Sequence, residues 1–109
     1  MGRIVKSPSG TEFTEGLARF ETGGRWGYED KTGKAIIEAQ FDYGDFFEKG
    51  LARVQLYGKW GYIDKTGNVV IKPQFDDAWG FLEGLALVRV SDRFGYIDKR
   101  GDYFWKPTS

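Results

Sequence analysis

Residues 59–73 read KWGYIDKTGNVVIKP, and this stretch decides the fold. Apolar and polar residues alternate along most of it with a period of two, which is typical of β-strands. A Lys-Thr-Gly loop divides the stretch in the middle. Asp64 opens a type I turn there, and Gly67 takes the left-handed position that closes the turn as a bulge. The stretch therefore predicts an antiparallel hairpin.

The residues before this stretch extend the hairpin to a three-stranded meander. Leu51 to Leu56 alternates in the same way, and the turn Tyr57-Gly58 joins it to the hairpin, with glycine supplying a positive φ. Pro73 ends the meander because it has no N–H to donate to a β-ladder. The predicted strands are 51–56, 59–64 and 68–72.

The turns also predict the register and the faces of the meander. Leu56 pairs with Lys59, so that Val54 faces Gly61, and Gly61 in turn faces Ile71 at a close approach of the backbones that a side chain would prevent. One face is wholly apolar and is expected to be buried: Ala52, Val54, Leu56, Gly61, Ile63, Val69 and Ile71. The other face is mixed: Arg53, Trp60, Tyr62, Val70 and Lys72.

The meander recurs along the chain without a gap. Residues 13–46, 47–80 and 81–109 align, with the third copy shorter than the others. A repeat at a fixed period is the signature of a stacked array in which each unit packs on its neighbours. The sequence therefore predicts one all-β domain over residues 1–109, built from three tandem antiparallel three-stranded meanders of 34 residues stacked as a short β-repeat array.

The ends and the connectors depart from the repeat. Residues 1–12 contain GRIVKSP, which resembles GNVVIKP of the second copy, and they are predicted to form a strand-like N-terminal cap. Glu29 stands where Ile63 and Ile97 stand in the other copies, either as a polar outer surface of a terminal repeat or as ordinary drift. The connector 73–84 is predicted as a compact loop or one helical turn, because glycines oppose a longer helix.

The motif at the centre of each copy resembles the WG repeat family. It reads RWGYEDKTG from residue 25 and KWGYIDKTG from residue 59, followed each time by an apolar strand. The third copy carries Phe94 in place of tryptophan. The structural repeat positions are Trp26, Gly27, Trp60, Gly61, Phe94 and Gly95. The resemblance implies a β-repeat structure that is found mostly in bacteria and is most often an interaction module, and it implies no catalytic residue.

The composition argues against an enzyme. The chain has no histidine and no cysteine, so the commonest general base, the commonest metal ligand and any disulfide are missing. The recurring carboxylates Asp30, Asp64 and Asp98 start turns, which explains them without catalysis. We therefore expect no catalytic residue, no cofactor and no metal site.

The charge balance restricts the partners. The 16 basic and 16 acidic residues cancel, whereas a nucleic-acid-binding protein usually carries a basic excess. No apolar run approaches the roughly 20 residues of a membrane span, and the N-terminus lacks the apolar core of a signal peptide. These observations predict no nucleic-acid or membrane partner and favour a cytoplasmic location.

Aromatic residues that do not recur between copies are the candidate partner-binding residues, because the repeat itself does not require them. They are Trp79, Tyr57, Tyr43 and Tyr103. The alternative for Trp79 and Tyr103 is that they fill gaps where repeats meet, since aromatic side chains bury large areas.

Two functions fit this sequence. The first is a non-catalytic module for protein–protein interaction, as an adaptor, small subunit or inhibitor, with homo-oligomerisation through free edge strands as a further expectation. The alternative is a carbohydrate-binding module that stacks exposed aromatics on sugar rings. Several coplanar exposed aromatics flanked by Asp or Asn would favour sugar, and one apolar patch would favour protein.

Overall fold

Twelve β-strands form three antiparallel sheets in the part of the chain that the structure describes. The structure, a computed structural model, describes residues 12–105, and no helix occurs within that range. The first sheet contains β1 (Phe13–Thr14), β2 (Leu17–Thr22), β3 (Arg25–Glu29) and β4 (Ala35–Phe41). The second contains β5 (Tyr43–Gly44), β6 (Leu51–Leu56), β7 (Lys59–Asp64) and β8 (Val69–Phe75), and the third contains β9 (Asp77–Ala78), β10 (Leu85–Val90), β11 (Arg93–Asp98) and β12 (Tyr103–Trp105). The strands follow one another in space as they do in sequence.

The predicted first two strands of the meander and the turns around them are confirmed. In the second sheet Leu56 pairs with Lys59, and Val54 pairs with Gly61. The three-residue loop closes as predicted, because the Gly67 N–H donates to the Asp64 carbonyl at 3.0 Å and Gly67 has a φ of 91°. The turn between Leu56 and Lys59 therefore sets the register of the hairpin that β6 and β7 form.

The prediction for the third strand is wrong in its end and in part of its register. β8 begins at Val69 and continues past Pro73 to Phe75. A register shift lies opposite Gly61, so that Ile71 pairs with Tyr62 rather than with Gly61. Pro73 is accommodated because β8 is an edge strand and the irregularity removes the need for its missing N–H.

Gly61 is required at this irregularity. A Cβ added at Gly61 would lie 2.5 Å from the Ile71 carbonyl oxygen and 2.5 Å from the Pro73 nitrogen. Gly27 has the same relation to Ile37 in the first sheet. The close approach predicted for this glycine is thus confirmed, although the backbone that approaches it is the bulged one.

The connectors contain strands rather than a helical turn. Asp77 and Ala78 form β9, which pairs with the following strand β10. Each sheet of the second and third copies therefore has four strands instead of three, and it begins a few residues before the sequence repeat does. The helical turn does not form because the segment makes strand and bridge pairings instead, such as Leu82 with Leu85.

The three sheets stack face to face around two cores. The first core joins sheets one and two and contains Leu17, Tyr28, Ile37, Phe41, Phe47, Ala52, Val54 and Ile63. The second joins sheets two and three and contains Tyr62, Ile71, Phe75, Ala78, Phe81, Ala86, Val88 and Ile97. The middle sheet contributes to both cores, so both of its faces are covered. The face predicted to be mixed is therefore mostly buried where Tyr62 lies.

Two predicted positions differ from the structure. Val69, placed on the buried apolar face, is 52% exposed, because it lies at the open end of β8 beside the turn. Glu29, for which a polar outer surface and ordinary drift were both open, is only 4% exposed and pairs with the fully buried Ala18, which does not fit a polar outer surface. The predicted N-terminal cap over residues 1–12 lies almost wholly outside the described residues.

Candidate functional site

The carboxylates of the recurring aspartates accept hydrogen bonds from residues of the turns that they start. The Asp64 carboxylate accepts hydrogen bonds from the Thr66 N–H at 2.9 Å, the Thr66 hydroxyl at 2.7 Å and the Asn68 N–H at 3.0 Å. Asp30 accepts the same set from Thr32 and Lys34. The threonine hydroxyl is the main reason that the pKa of each of these two carboxyls lies below its ordinary value. Their ionised form stabilises the turn.

The connector aspartates are engaged in a similar way. Asp42 accepts the Tyr57 N–H at 2.8 Å, and Asp76 accepts the Ser91 N–H at 2.7 Å. Asp76 also pairs with the Lys59 ammonium at 2.6 Å. Within residues 12–105 no cluster of three or more acidic, histidine or cysteine side chains is placed to hold a metal ion. Over the same range no helix is long and apolar enough to cross a membrane.

The second and third sheets each carry a groove, and the next repeat closes the groove of the second sheet. That groove is lined by Asp45, Phe46, Glu48, Leu51, Arg53 and Tyr62, and Gly80 and Phe81 of the next repeat close it to about 30 Å³. The Phe81 ring packs edge-on against Tyr62, with centroids 4.9 Å apart. The Tyr62 hydroxyl donates to the Trp79 carbonyl at 2.6 Å.

The corresponding groove of the third sheet is open. It is lined by Trp79, Gly80, Leu82, Glu83, Leu85, Leu87 and Tyr96, and it encloses about 350 Å³. We call it the terminal groove. Tyr96, the counterpart of Tyr62, is 43% exposed, whereas Tyr62 is 1% exposed. Nothing in residues 12–105 covers the terminal groove as Phe81 covers the groove before it.

Three charged positions of the filled groove become apolar in the terminal groove. Asp45 and Arg53 form an ion pair at 2.6 Å, and the Arg53 guanidinium also donates to the Ala78 carbonyl of the next repeat. Their counterparts in the third copy are Trp79 and Leu87. Glu48 is likewise replaced, by Leu82, which is 71% exposed.

The terminal groove is apolar at three positions where the groove of the second sheet is charged. Gly80 stands in it where Phe46 lines the groove of the second sheet. An exposed, contiguous apolar surface with a concave centre is typical of a site where another molecule docks.

Of the four aromatic candidates, Trp79 lies at the terminal groove. Its ring lies 6.2 Å from that of Phe94, and the two planes are inclined by 31°. Phe94 lies on β11, the strand that also carries Tyr96, so Trp79 packs against that strand. Trp79 is also part of the internal junction, but only through its main-chain oxygen.

The other three candidates lie apart from this groove. Tyr57 is 86% exposed at the tip of a hairpin, with a φ of 52°. Tyr43 is half-buried between Trp26 and Trp60, at centroid distances of 5.6 and 5.8 Å, so it fills the space between two repeats. Tyr103 lies on β12 and is exposed. The structure does not bring these residues together.

Leu82 and Leu87 line the terminal groove but are not among the candidates from the sequence. Those candidates are aromatic residues that do not recur, whereas these two residues are aliphatic. The signal was nevertheless present, because both replace a charged residue, Glu48 or Arg53, at a position where the internal junction uses charge. Comparing every repeat position for polarity would have found them.

The stacked sheets define the described part of the chain as a tandem β-repeat array. A model of the WG containing repeat matches residues 26–60 and 60–93, so the chain belongs to this family. The resemblance noted from the sequence is thereby confirmed. No curated protein and no solved structure matches the chain at a significant level.

Proposed function

We propose that this chain is a non-catalytic module for protein–protein interaction and that the terminal groove is its docking surface. The observation that carries the proposal is the replacement of Asp45, Glu48 and Arg53 of the internal groove by three apolar residues in the open one. Apolar, aromatic-rich concave surfaces are the usual location of the few residues that dominate binding energy between proteins. Tryptophan and tyrosine, both present here, are enriched among such residues.

The chemistry of the lining favours a protein over a sugar. A carbohydrate site needs polar groups that pair with the sugar hydroxyls beside the stacking rings, whereas Glu83 is the one charged side chain in the terminal groove. Trp79 and Phe94 are inclined to each other rather than coplanar. Leu82, Leu85 and Leu87 supply aliphatic surface that protein partners use and sugars do not. Carbohydrate binding is accordingly the second candidate.

The non-catalytic part of the proposal draws support from the carboxylates. Asp30 and Asp64, which recur with the repeat, each accept three hydrogen bonds from their own turns at Oδ1. Replacing them with asparagine is expected to change the stability of the protein and no turnover. An activity that is lost in these variants while the fold stays intact would contradict this part.

Self-association through the edge strands is a further proposal. β4, β8 and β12 are edges with free backbone groups, and such edges can pair with another chain. On β8 the exposed Lys72 and the bulged Pro73 reduce this tendency. Light scattering over a wide concentration range tests it, because a Val70→Lys change on β8 should shift an edge-paired dimer to monomer.

Capture from a lysate of the native host, with tagged protein as bait, tests the docking surface. The variant W79D/L82E/L87R gives the third repeat the residues that the second repeat already carries, so it preserves the fold. A specific protein should be retained by the wild type and lost by this variant. The control Tyr57→Gly removes a more exposed aromatic at a distant turn, and Gly23 shows that the repeat accepts glycine there.

Two outcomes would overturn the proposal. Equal capture by the wild type and the triple variant would place the docking surface elsewhere. Binding of the wild type to immobilised glycans, removed by Trp79→Ala, would favour the carbohydrate candidate instead.

A further inference from the structure

Both junctions between sheets place a phenylalanine ring against a tyrosine. Phe47 packs edge-on against Tyr28 in the first junction, with centroids 4.8 Å apart and planes inclined by 67°. Phe81 packs against Tyr62 in the second, at 4.9 Å and 66°. Both phenylalanines are buried. The groove is thus a repeated receptor for one phenyl ring, placed at the favourable edge-to-face geometry.

A main-chain carbonyl accompanies the ring at both junctions. The Tyr28 hydroxyl donates to the Asp45 carbonyl at 2.7 Å, and the Tyr62 hydroxyl donates to the Trp79 carbonyl at 2.6 Å. Each carbonyl belongs to the residue two positions before the phenylalanine. Burial raises the pKa of both tyrosine hydroxyls well above the ordinary value, so both stay protonated donors.

The terminal groove keeps the half of this receptor that binds the ring. Tyr96 corresponds to Tyr62, and Leu85 corresponds to Leu51, which packs against the second core. Tyr96 lies opposite Leu87 in the ladder, and both line the groove. The Tyr96 hydroxyl has no hydrogen-bond partner within residues 12–105, whereas the hydroxyls of Tyr28 and Tyr62 each have one. A ring-binding pocket and a donor are therefore both in place.

The terminal groove differs from the groove of the second sheet at the positions that contact the residues beside the phenylalanine. In the second junction Arg53 donates to the Ala78 carbonyl, and Leu87 cannot make this bond. Trp79 in place of Asp45 adds a further apolar wall. The preferred occupant is consequently a segment whose residues beside the ring are apolar as well, because a polar group buried there would have no partner.

We infer that the terminal groove binds a segment of a partner protein that inserts a phenylalanine ring against Tyr96, while the Tyr96 hydroxyl donates to the carbonyl two residues before that phenylalanine. This inference rests on the proposed function and adds the chemistry of the partner. It is supported by continuity, since the terminal groove is the third in a series of which two are filled in this way.

A second copy of the chain would continue the stack by placing Phe13, the counterpart of Phe47 and Phe81, at the terminal groove. The same face of the first sheet carries Glu29 at the position where Ile63 and Ile97 lie in the two cores. A second copy would therefore bring a carboxylate into an apolar junction, which is unfavourable. A separate protein is thus the expected occupant.

Titration of the complete 109-residue chain with a short peptide tests the inference. The probe is the blocked peptide DAWGFLEG, which copies residues 77–84 and therefore contains a phenylalanine two residues after a carbonyl that accepts from tyrosine. The matched control is the same peptide with Phe81→Ala. Nuclear magnetic resonance of the Tyr96 ring and the Leu85 and Leu87 methyl groups reports where each peptide binds.

We expect the phenylalanine peptide to shift these signals and the alanine peptide to bind at least tenfold more weakly. The Tyr96→Phe protein keeps the ring and loses the donor, so its affinity should fall severalfold. Leu87→Arg should strengthen binding of this peptide, because in the second copy Arg53 donates to the Ala78 carbonyl that the peptide reproduces.

Three results would overturn the inference: equal affinity for the two peptides, no shift at millimolar peptide, or a dimer of the chain that Leu87→Arg dissociates. The last result would identify a second copy as the occupant. If the peptide fails while W79D/L82E/L87R still abolishes capture of a host protein, the docking surface stands and only its aromatic ligand falls. If the triple variant captures the host protein normally, the proposed function fails as well.

Discussion

The hydroxyl of Tyr62 donates a 2.6 Å hydrogen bond to the main-chain oxygen of Trp79, and this bond ties the second repeat to the third. The same tyrosine supports the ring of Phe81. One side chain therefore provides both the apolar and the polar contact of the junction. Tyr28 makes the same two contacts one repeat earlier. Tyr96, at the same position of the third repeat, is exposed.

The junction hydrogen bond predicts a position-dependent effect of removing a tyrosine hydroxyl. Tyr62→Phe leaves the Trp79 carbonyl without its donor in a buried setting, and we expect a loss of about 1–2 kcal/mol of unfolding free energy. Tyr96→Phe removes an exposed hydroxyl and should be close to neutral. Urea unfolding of the two variants measures the difference, and an equal loss in both would contradict the role assigned to the junction.

The close backbone approach at Gly61 predicts a steric effect. Gly61→Ala would put a Cβ 2.5 Å from the Ile71 oxygen, where only backbone movement could relieve the clash. We expect a loss of about 1–3 kcal/mol, the usual range for overpacking. Gly80→Ala is the control, since its Cβ would meet only the flexible end of Glu48 at 3.3 Å. Similar thermal midpoints for both variants would show that the bulge yields easily.

The lowered pKa of Asp64 predicts a pH effect on stability. Because the hydrogen bond from the Thr66 hydroxyl and those from nearby N–H groups favour the charged form, the folded-state pKa lies below the unfolded value of about 3.9. The stabilisation is therefore complete above about pH 4 and is lost as the pH falls through the folded-state pKa.

Asp64→Asn should accordingly lower the melting temperature at neutral pH and flatten its dependence on pH below 4. Asp92→Asn, which removes the same charge at an exposed turn, serves as the control. Thermal melts between pH 2 and pH 7 provide the measurement. An unchanged pH profile in Asp64→Asn would mean that its turn bonds contribute nothing to folding.

The hairpin of β6 and β7 was predictable because the turns around these strands involve only residues close together in sequence. The two-residue turn at Tyr57-Gly58 and the Asp64 to Gly67 loop fix the pairing through the φ values that their residues adopt. The bulge opposite Gly61 was not predictable in the same way. It depends on a tertiary approach between strands, and Pro73 alone indicated an end rather than an irregularity.

The short strand Asp77–Ala78 and the open end of the array were harder to predict for a related reason. A two-residue strand carries no periodicity, and it forms because the next strand offers it partners. Trp79 could be selected as an aromatic that does not recur. The sequence shows that Leu82 and Leu87 replace charged residues, but only the structure shows that their counterparts Glu48 and Arg53 line a filled groove.

The affinity between this chain and a host protein retained in the capture experiment tests the central claim most directly. Calorimetric titration should compare the wild type with W79D/L82E/L87R, after circular dichroism has shown that both are folded. Because the variant removes a tryptophan, a residue type that often dominates binding energy, and places charges at all three apolar positions, the account predicts at least a hundredfold weaker binding, or about 2.7 kcal/mol. Affinities within twofold of each other would contradict the claim that the terminal groove is the docking surface.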